Sequence, residues 1–212
     1  MPADRLHLVR HGEVFNPDHI LYGRLDGYHL SELGRRMAAA AAESMTGTPV
    51  TALYASPLLR AQESAARWSE LFGLPIVTED RIIEPTNKFE GTRSDFGPGL
   101  LLKPKYWPWI VNPLKPSWGE PFKDIAARVT AAMDDAWATS DGGHVVMVSH
   151  QSPIWLATRF INGKSLAHDP RKRRCHLSSI TSFEKQNGNW VEVNYQDPAQ
   201  ELLAASTDLG AV

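Results

Sequence analysis

Short apolar runs alternate with stretches of helical periodicity along most of this chain, and that alternation confines it to the α/β class. Leu6-His7-Leu8-Val9 reads as a first strand, Thr51-Ala52-Leu53-Tyr54-Ala55 as a second and Ile76-Val77-Thr78 as a third. His144-Val145-Val146-Met147-Val148-Ser149 is the most apolar of the set, as a strand at the centre of a parallel sheet must be. Between them, Ser31 caps a helix with Glu32 in its first turn, and Leu33, Met37, Ala40, Ala41 and Met45 recur on one face until Gly47. Ser56-Pro57 predicts the cap and first position of a second helix, which runs to about Phe72 and stops at Gly73. A third is expected from about Phe122 to Ala138, with Ile125, Val129, Met133 and Trp137 on one face, and a fourth opening at Ser152-Pro153. Residues 176–185 and 190–195 read as strands around Gln186-Asn187-Gly188-Asn189, a hairpin signal. The tail after Pro198 is expected to be loosely held. The expected architecture is a three-layer α/β/α sandwich with a mostly parallel central sheet and a C-terminal hairpin strand at its edge.

Composition narrows the function classes. At 212 residues the chain is expected to form a single domain, 1–212, with an aromatic, proline-rich insertion at about 86–121. The net charge of -2 provides no global field to recruit nucleic acid or an anionic membrane. Cys175 is the only cysteine, which excludes an intrachain disulfide and a cysteine-based zinc site. The first five residues lack the basic region and apolar run of a signal peptide, and no window reaches a membrane-spanning length, so a cytoplasmic protein is expected. Oligomeric state is left open. His7, His19, His29, His144, His168 and His176 show no paired metal-ligand spacing.

In parallel α/β sheets, ligands bind beyond the carboxyl ends of the strands. Each strand end here delivers a polar residue to that edge. Arg10 and His11 follow the first strand, Arg60 the second, Glu84 the third and His150 the fourth. Gly12 is expected to let the backbone turn through conformations that other residues resist. Two arginines and two histidines suit a tetrahedral phosphate dianion better than a carboxylate, because three non-bridging oxygens need donors. The helix starts at Ser56-Pro57 and Ser152-Pro153 are expected to add backbone donors. Cationic neighbours favour a neutral His11, which can attack phosphorus, while Glu84 protonates the leaving alkoxide and His150 shares in binding the transferring group.

Leu8-Val9-Arg10-His11-Gly12-Glu13 resembles the signature of the histidine phosphatase superfamily, the phosphoglycerate-mutase-like proteins. Residues 56–64 (Ser-Pro-Leu-Leu-Arg-Ala-Gln-Glu-Ser) resemble its second arginine motif, and Val148-Ser149-His150 its second histidine motif. Tyr22-Gly23-Arg24-Leu25-Asp26 and residues 30–35 are similar to its loop and following helix start, so the likeness runs in order from about residue 5 to about 185. The resemblance implies a phosphorylated nucleophile at His11, a phosphate pocket of Arg10, His11, Arg60 and His150, a proton donor at Glu84, and no metal or organic cofactor. It also implies a substrate-binding loop at Tyr22, Gly23 and Arg24. Asn16 is carried over as a phosphate contact, although it lies one residue nearer His11 than the family's asparagine. Glu84 is offset by about one position from the family's glutamate, which leaves Glu90 as the other candidate. Gln151 stands where the family often has glycine, and proline 121 replaces a serine after Gly119-Glu120.

The leading expectation is a metal-independent phosphatase acting on a small phosphorylated metabolite. A phosphoglycerate-mutase-type phosphotransferase, a non-catalytic phosphate-binding regulatory protein and a phosphatase of phosphorylated proteins are the other readings. Specificity is expected in residues 14–30 and 86–121. Tyr106, Trp107, Trp109 and Trp118 read there as either a wall or core. The basic run at 171–174 reads as a solvated face or an attractor for an anionic substrate, and Lys103 and Lys105 carry the same two readings.

Overall fold

The structure, a computed structural model, describes residues 1–93 and 119–208. Six strands form one sheet: β1 (Arg5–Arg10), β2 (Val50–Ala55), β3 (Ile76–Thr78), β4 (His144–Ser149), β5 (Ile180–Gln186) and β6 (Asn189–Gln196). Their spatial order is β3-β2-β4-β1-β5-β6. The first four run parallel, and the hairpin β5-β6 joins β1 antiparallel. This is the mostly parallel α/β sheet with a C-terminal hairpin at its edge that the sequence predicts. Asn187 and Gly188 both take positive φ, 51° and 80°, as a two-residue turn between twisted strands requires.

Helices α1 (Glu32–Glu43) and α2 (Leu59–Phe72) cover one face of the sheet, and α3 (Phe122–Thr139) and α4 (Gln151–Ile161) the other. Alternation along the strands divides the core between those faces. Leu6, Leu8, Val145 and Met147 meet Ile125, Val129 and Met133 of α3 with Ile154 and Leu156 of α4. Val9, Val146, Val148, Leu53 and Ala55 meet Ala41, Ala42, Ala61, Ala65 and Trp68. No helix among the described residues is long and apolar enough to cross a membrane.

Four local expectations differ from the structure. Ser56-Pro57 does not open α2, whose N-cap is Leu58, because the Ser56 N–H still donates to Val148 O at 2.9 Å and prolongs the sheet. Ser152 is not the cap of α4 but lies in its first turn, behind His150 at the N-cap. β5 begins at Ile180 rather than His176, since Ser178 takes φ 58° and Ser179 N–H donates back to His176 O at 3.0 Å. The tail as far as residue 208 is held in place, with residues 209–212 outside the described ones: Ala199 is buried, and a short helix α5 (Gln200–Leu203) packs Leu202 and Leu203 beside Met37, Leu33 and Leu177. The insertion falls mostly on residues outside the described ones, including Lys103, Lys105, Tyr106, Trp107, Trp109 and Trp118. At its ends, Ile20 bridges to Arg93 and Asn87 to Gly119.

Gly12 has no positive φ, so conformational freedom is not what it contributes. Close approach is. A Cβ on Gly12 would stand 2.3 Å from Gly34 O, and one on Gly34 would stand 2.0 Å from Glu13 O. The loop after β1 and the first turn of α1 are therefore pressed backbone to backbone. The Ser31 N–H donates to Glu13 O at 3.0 Å, and the Ser31 hydroxyl caps α1 by accepting from Gly34 N–H at 2.9 Å.

On the sheet, buried His7 bonds Ser182 Oγ through Nδ1 and His144 Nδ1 through Nε2, both at 2.9 Å. Burial first, then His144 and Arg5, depress the His7 pKa to about 3.

Two outcomes follow from this packing. Gly34→Ala must displace backbone, and a loss of about 1–3 kcal/mol in urea unfolding is expected; native stability would mean that the two segments separate freely. A neutral buried imidazole stabilises fully above the unfolded pKa near 6.5 and loses that contribution as pH falls toward about 3, because the unfolded chain takes up the proton first. Between pH 6.5 and 5 the native protein should therefore lose about 2 kcal/mol more than His7→Gln, read from urea unfolding at each pH. Parallel pH profiles would show that His7 protonates equally in both states.

Candidate active site

The parallel pairing of β1 with β4 aligns Arg10 with Ser149. His11 and His150, one residue beyond each, emerge side by side with ring centroids 5.1 Å apart. β2 aligns Ala55 with Val148, and the hydroxyl of the next residue, Ser56, reaches His150 Nε2 at 2.7 Å. Ser149 Oγ donates to Ile82 O at 2.6 Å, which ties the turn after β3 to the end of β4 and brings in Glu84. Arg60 arrives from the first turn of α2. The structure thus gathers Arg10, His11, Arg60, Glu84 and His150 at one sheet edge, all of them buried.

His11 has a defined tautomer. Its Nδ1 lies 2.7 Å from Gly12 O, and a carbonyl only accepts, so Nδ1 carries the ring proton and Nε2 keeps its lone pair. Burial, then Arg60 and Arg10, hold its pKa well below the ordinary imidazole value. His150 is depressed likewise by burial, Arg60 and His11. Its Nε2 lies 2.7 Å from Ser56 Oγ, while Nδ1 has no hydrogen-bond partner and stands 4.0 Å from Glu84 Oε2. A Ser56 hydroxyl donating to Nε2 leaves Nδ1–H as a donor toward the site.

Glu84 is the least compensated group of the set. Neither carboxyl oxygen has a hydrogen-bond partner. Burial raises its pKa, opposed by Arg60, by Arg173 and by the Ser152 hydroxyl, which stands nearby without making a hydrogen bond of ordinary geometry. Glu90, the other candidate, is engaged elsewhere: its Oε1 accepts from the N–H groups of Arg24 at 3.1 Å and Asn87 at 3.2 Å.

The residues around the arginines divide by role. Arg60 Nη2 donates to Gly23 O at 2.7 Å, and its guanidinium lies 4.7 Å from the centre of the Tyr22 ring. Arg24 Nε donates to Glu84 O at 2.6 Å, with Glu120 3.6 Å away. Tyr22, Gly23 and Arg24 therefore brace Arg60 and Glu84. Asn16 exchanges both amide groups with the backbone of Ile20, at 2.8 and 3.0 Å, and closes its own loop. Arg10 and Arg60 each leave Nε unpartnered. Among the described residues no group of three or more His, Cys, Asp or Glu side chains could hold a metal ion.

Two residues of the site escaped sequence reasoning. The basic run is not simply a solvated face, because Arg173 is buried and bonds His168 Nε2 at 2.9 Å, Gln151 Oε1 at 3.2 Å and Ser152 Oγ at 3.3 Å. Gln151 in place of glycine was the available signal. Asp208 bonds Arg10 with both oxygens, Oδ2 to Nη1 at 2.7 Å and Oδ1 to Nη2 at 2.6 Å. No sequence motif marks it.

Known proteins resemble this chain over nearly its whole length. The sequence model of the histidine phosphatase superfamily (branch 1) matches residues 6–198. The uncharacterized protein Rv0525 of Mycobacterium tuberculosis is 47% identical over 94% of this chain and 99% of its own. A probable phosphoglycerate mutase GpmB of Yersinia pestis is 27% identical over 88% and 87%. Among solved structures, mycobacterial glucosyl-3-phosphoglycerate phosphatase with inorganic phosphate superposes with a TM-score of 0.73 at 26% identity, over 93% of this chain and 99% of that one. Bacillus stearothermophilus YhfR shares the fold with a TM-score of 0.77 at 24% identity, over 90% and 96%.

Proposed function

Because the chain belongs to the histidine phosphatase superfamily, we propose that it is a phosphomonoesterase that hydrolyses a small phosphorylated metabolite through a phosphohistidine on His11 Nε2. The observation that carries this reading is Glu84, a buried carboxyl without a hydrogen-bond partner, kept toward its protonated form beside Arg60 and His150. A bound phosphate dianion raises that pKa further, because two adjacent anions repel. A neutral acid is what an alkoxide leaving group requires.

In the first step the Nε2 lone pair of His11 forms a bond to phosphorus as the P–O ester bond breaks. The bonding electrons pass to the leaving oxygen, which takes the proton of Glu84. Arg10, Arg60 and the Nδ1–H of His150 hold the three equatorial oxygens while charge shifts across them. In the second step water attacks phosphorus and gives its proton to the Glu84 carboxylate. The P–N bond breaks, His11 recovers its lone pair, and orthophosphate leaves. The likeness to a named phosphatase supports water as the acceptor. The likeness to GpmB supports a second reading, in which an alcohol of the substrate takes the phosphoryl group instead.

Phosphate release across a panel of phosphorylated metabolites tests the reading. His11→Ala should lose all turnover while keeping the native unfolding transition; a soluble variant with native activity would remove the mechanism. Glu84→Gln should lower kcat/KM for an alkyl phosphate by about 10²–10⁴-fold and for p-nitrophenyl phosphate far less, since that leaving group hardly needs an acid. Activity toward alkyl phosphates should fall as pH rises through the raised Glu84 pKa, and this alkaline limb should vanish in Glu84→Gln. Equal losses on both substrates would move the acid elsewhere. Turnover only with a bisphosphorylated primer would establish the mutase.

A further inference from the structure

The catalytic reading assigns no role to the C-terminal segment, yet that segment makes the strongest polar contact in the site. The Asp208 carboxylate grips the Nη1/Nη2 edge of Arg10, with two bonds of 2.7 and 2.6 Å. Parallel bonds of this kind are how a guanidinium holds a carboxylate or a phosphate, and one edge cannot serve both fully. Burial disfavours the charge on Arg10, and Asp208 more than restores it. The same carboxylate acts electrostatically on His11 and Arg173, so its charge reaches the groups that surround the reacting phosphorus.

The segment is built to deliver this group. Helix α5 is anchored by Leu202 and Leu203 against the α1 side of the molecule, and only a few residues separate it from the site. The Thr207 N–H then donates to Glu13 Oε1 at 2.7 Å, while the other Glu13 oxygen accepts from the Ser31 hydroxyl. Asp208 itself remains more than a third exposed, whereas Arg10 is closed off from solvent. The carboxylate is therefore the removable partner of the pair.

We propose that Asp208 is a built-in competitor for the phosphoryl group, and that the C-terminal segment is an autoinhibitory strap that must withdraw from Arg10 when a phosphate dianion binds. The inference rests on the reading of Arg10 as a phosphate-holding residue. Two anions on one buried guanidinium repel, so phosphate binding and strap docking weaken each other by the same factor.

Orthophosphate binding, measured by calorimetry on the full-length protein, tests this. Asp208→Asn should tighten phosphate by about fivefold or more, and Thr207→Pro, which removes the N–H that anchors the strap on Glu13, should shift it the same way. Asp208→Glu should stay closer to the native affinity than Asp208→Asn. Phosphate should also raise the melting temperature of Asp208→Asn more than that of the native protein, because it replaces the lost partner of Arg10. Unchanged or weaker phosphate binding in both folded variants would overturn the proposal and leave the phosphatase reading standing, since Asp208 would then only orient Arg10. No phosphate binding to native protein or either variant would overturn both.

Discussion

The site depends on one register. β1 and β4 run parallel, with Arg10 opposite Ser149, and every other placement follows from that pairing. Because both strands end at the same level, the residue after each is a histidine facing a histidine. A slip of β1 by one residue would turn Leu6 and Leu8 off the α3–α4 core and send His11 to the opposite face, since side chains alternate along a strand. The apolar alternation that fills the two core layers therefore also sets the spacing of the two imidazoles. The glycine pair at 12 and 34 extends the same logic past the strand end, fixing the backbone on which His11 Nδ1 is anchored.

Charge is arranged around that pair so that each group is held in an unusual state. Arg10, Arg60 and Arg173 are buried guanidiniums, and burying a charge costs several kcal/mol unless it is paired. Arg10 has Asp208 and the Cys175 carbonyl, Arg60 has the Gly23 carbonyl and the Tyr22 ring, and Arg173 bonds His168, Gln151 and Ser152 and is favoured by the charges of Glu84 and Asp208. Burial, reinforced by these cations, depresses His11 and His150, while at Glu84 burial outweighs the cations and keeps that carboxyl toward neutrality. Guanidiniums thus surround an imidazole held toward its neutral form and a carboxyl pushed toward its protonated one, the combination on which the proposed phosphoryl transfer relies.

Much of this was legible in the sequence, and for a physical reason. Strand ends are local: an apolar run followed by Arg10-His11 or by His150 places those side chains at a sheet edge whatever the rest of the chain does. Ser56 shows where local reading fails. Ser-Pro is a good helix start, but a hydrogen bond to Val148 kept Ser56 in the sheet and turned its hydroxyl toward His150. Asp208 was illegible because its partner lies nearly two hundred residues away and the intervening contact is made by tertiary packing of α5. Gly12 was recognised at the right position for the wrong reason, since only the structure brings Gly34 against it.

One departure from the family pattern, Gln151, lies on a wall of the site. Gln151 replaces glycine, and its amide oxygen accepts from Arg173, whose guanidinium also reaches Ser152 and His168. Ser152 and Arg173 both act on Glu84, the group assigned to the leaving oxygen. Arg173 also acts on the charge of Asp208. A glycine at 151 would remove one of these three bonds to Arg173 and leave those to Ser152 and His168. That wall borders Glu84, the group the proposed mechanism assigns to the leaving oxygen, rather than Arg10 and Arg60, to which it assigns the transferred oxygens. In the proposed reaction the transfer itself would rest on strand ends whose positions the sheet dictates, while the start of α4 and the segment before β5 would adjust the charge of the carboxyl beside them.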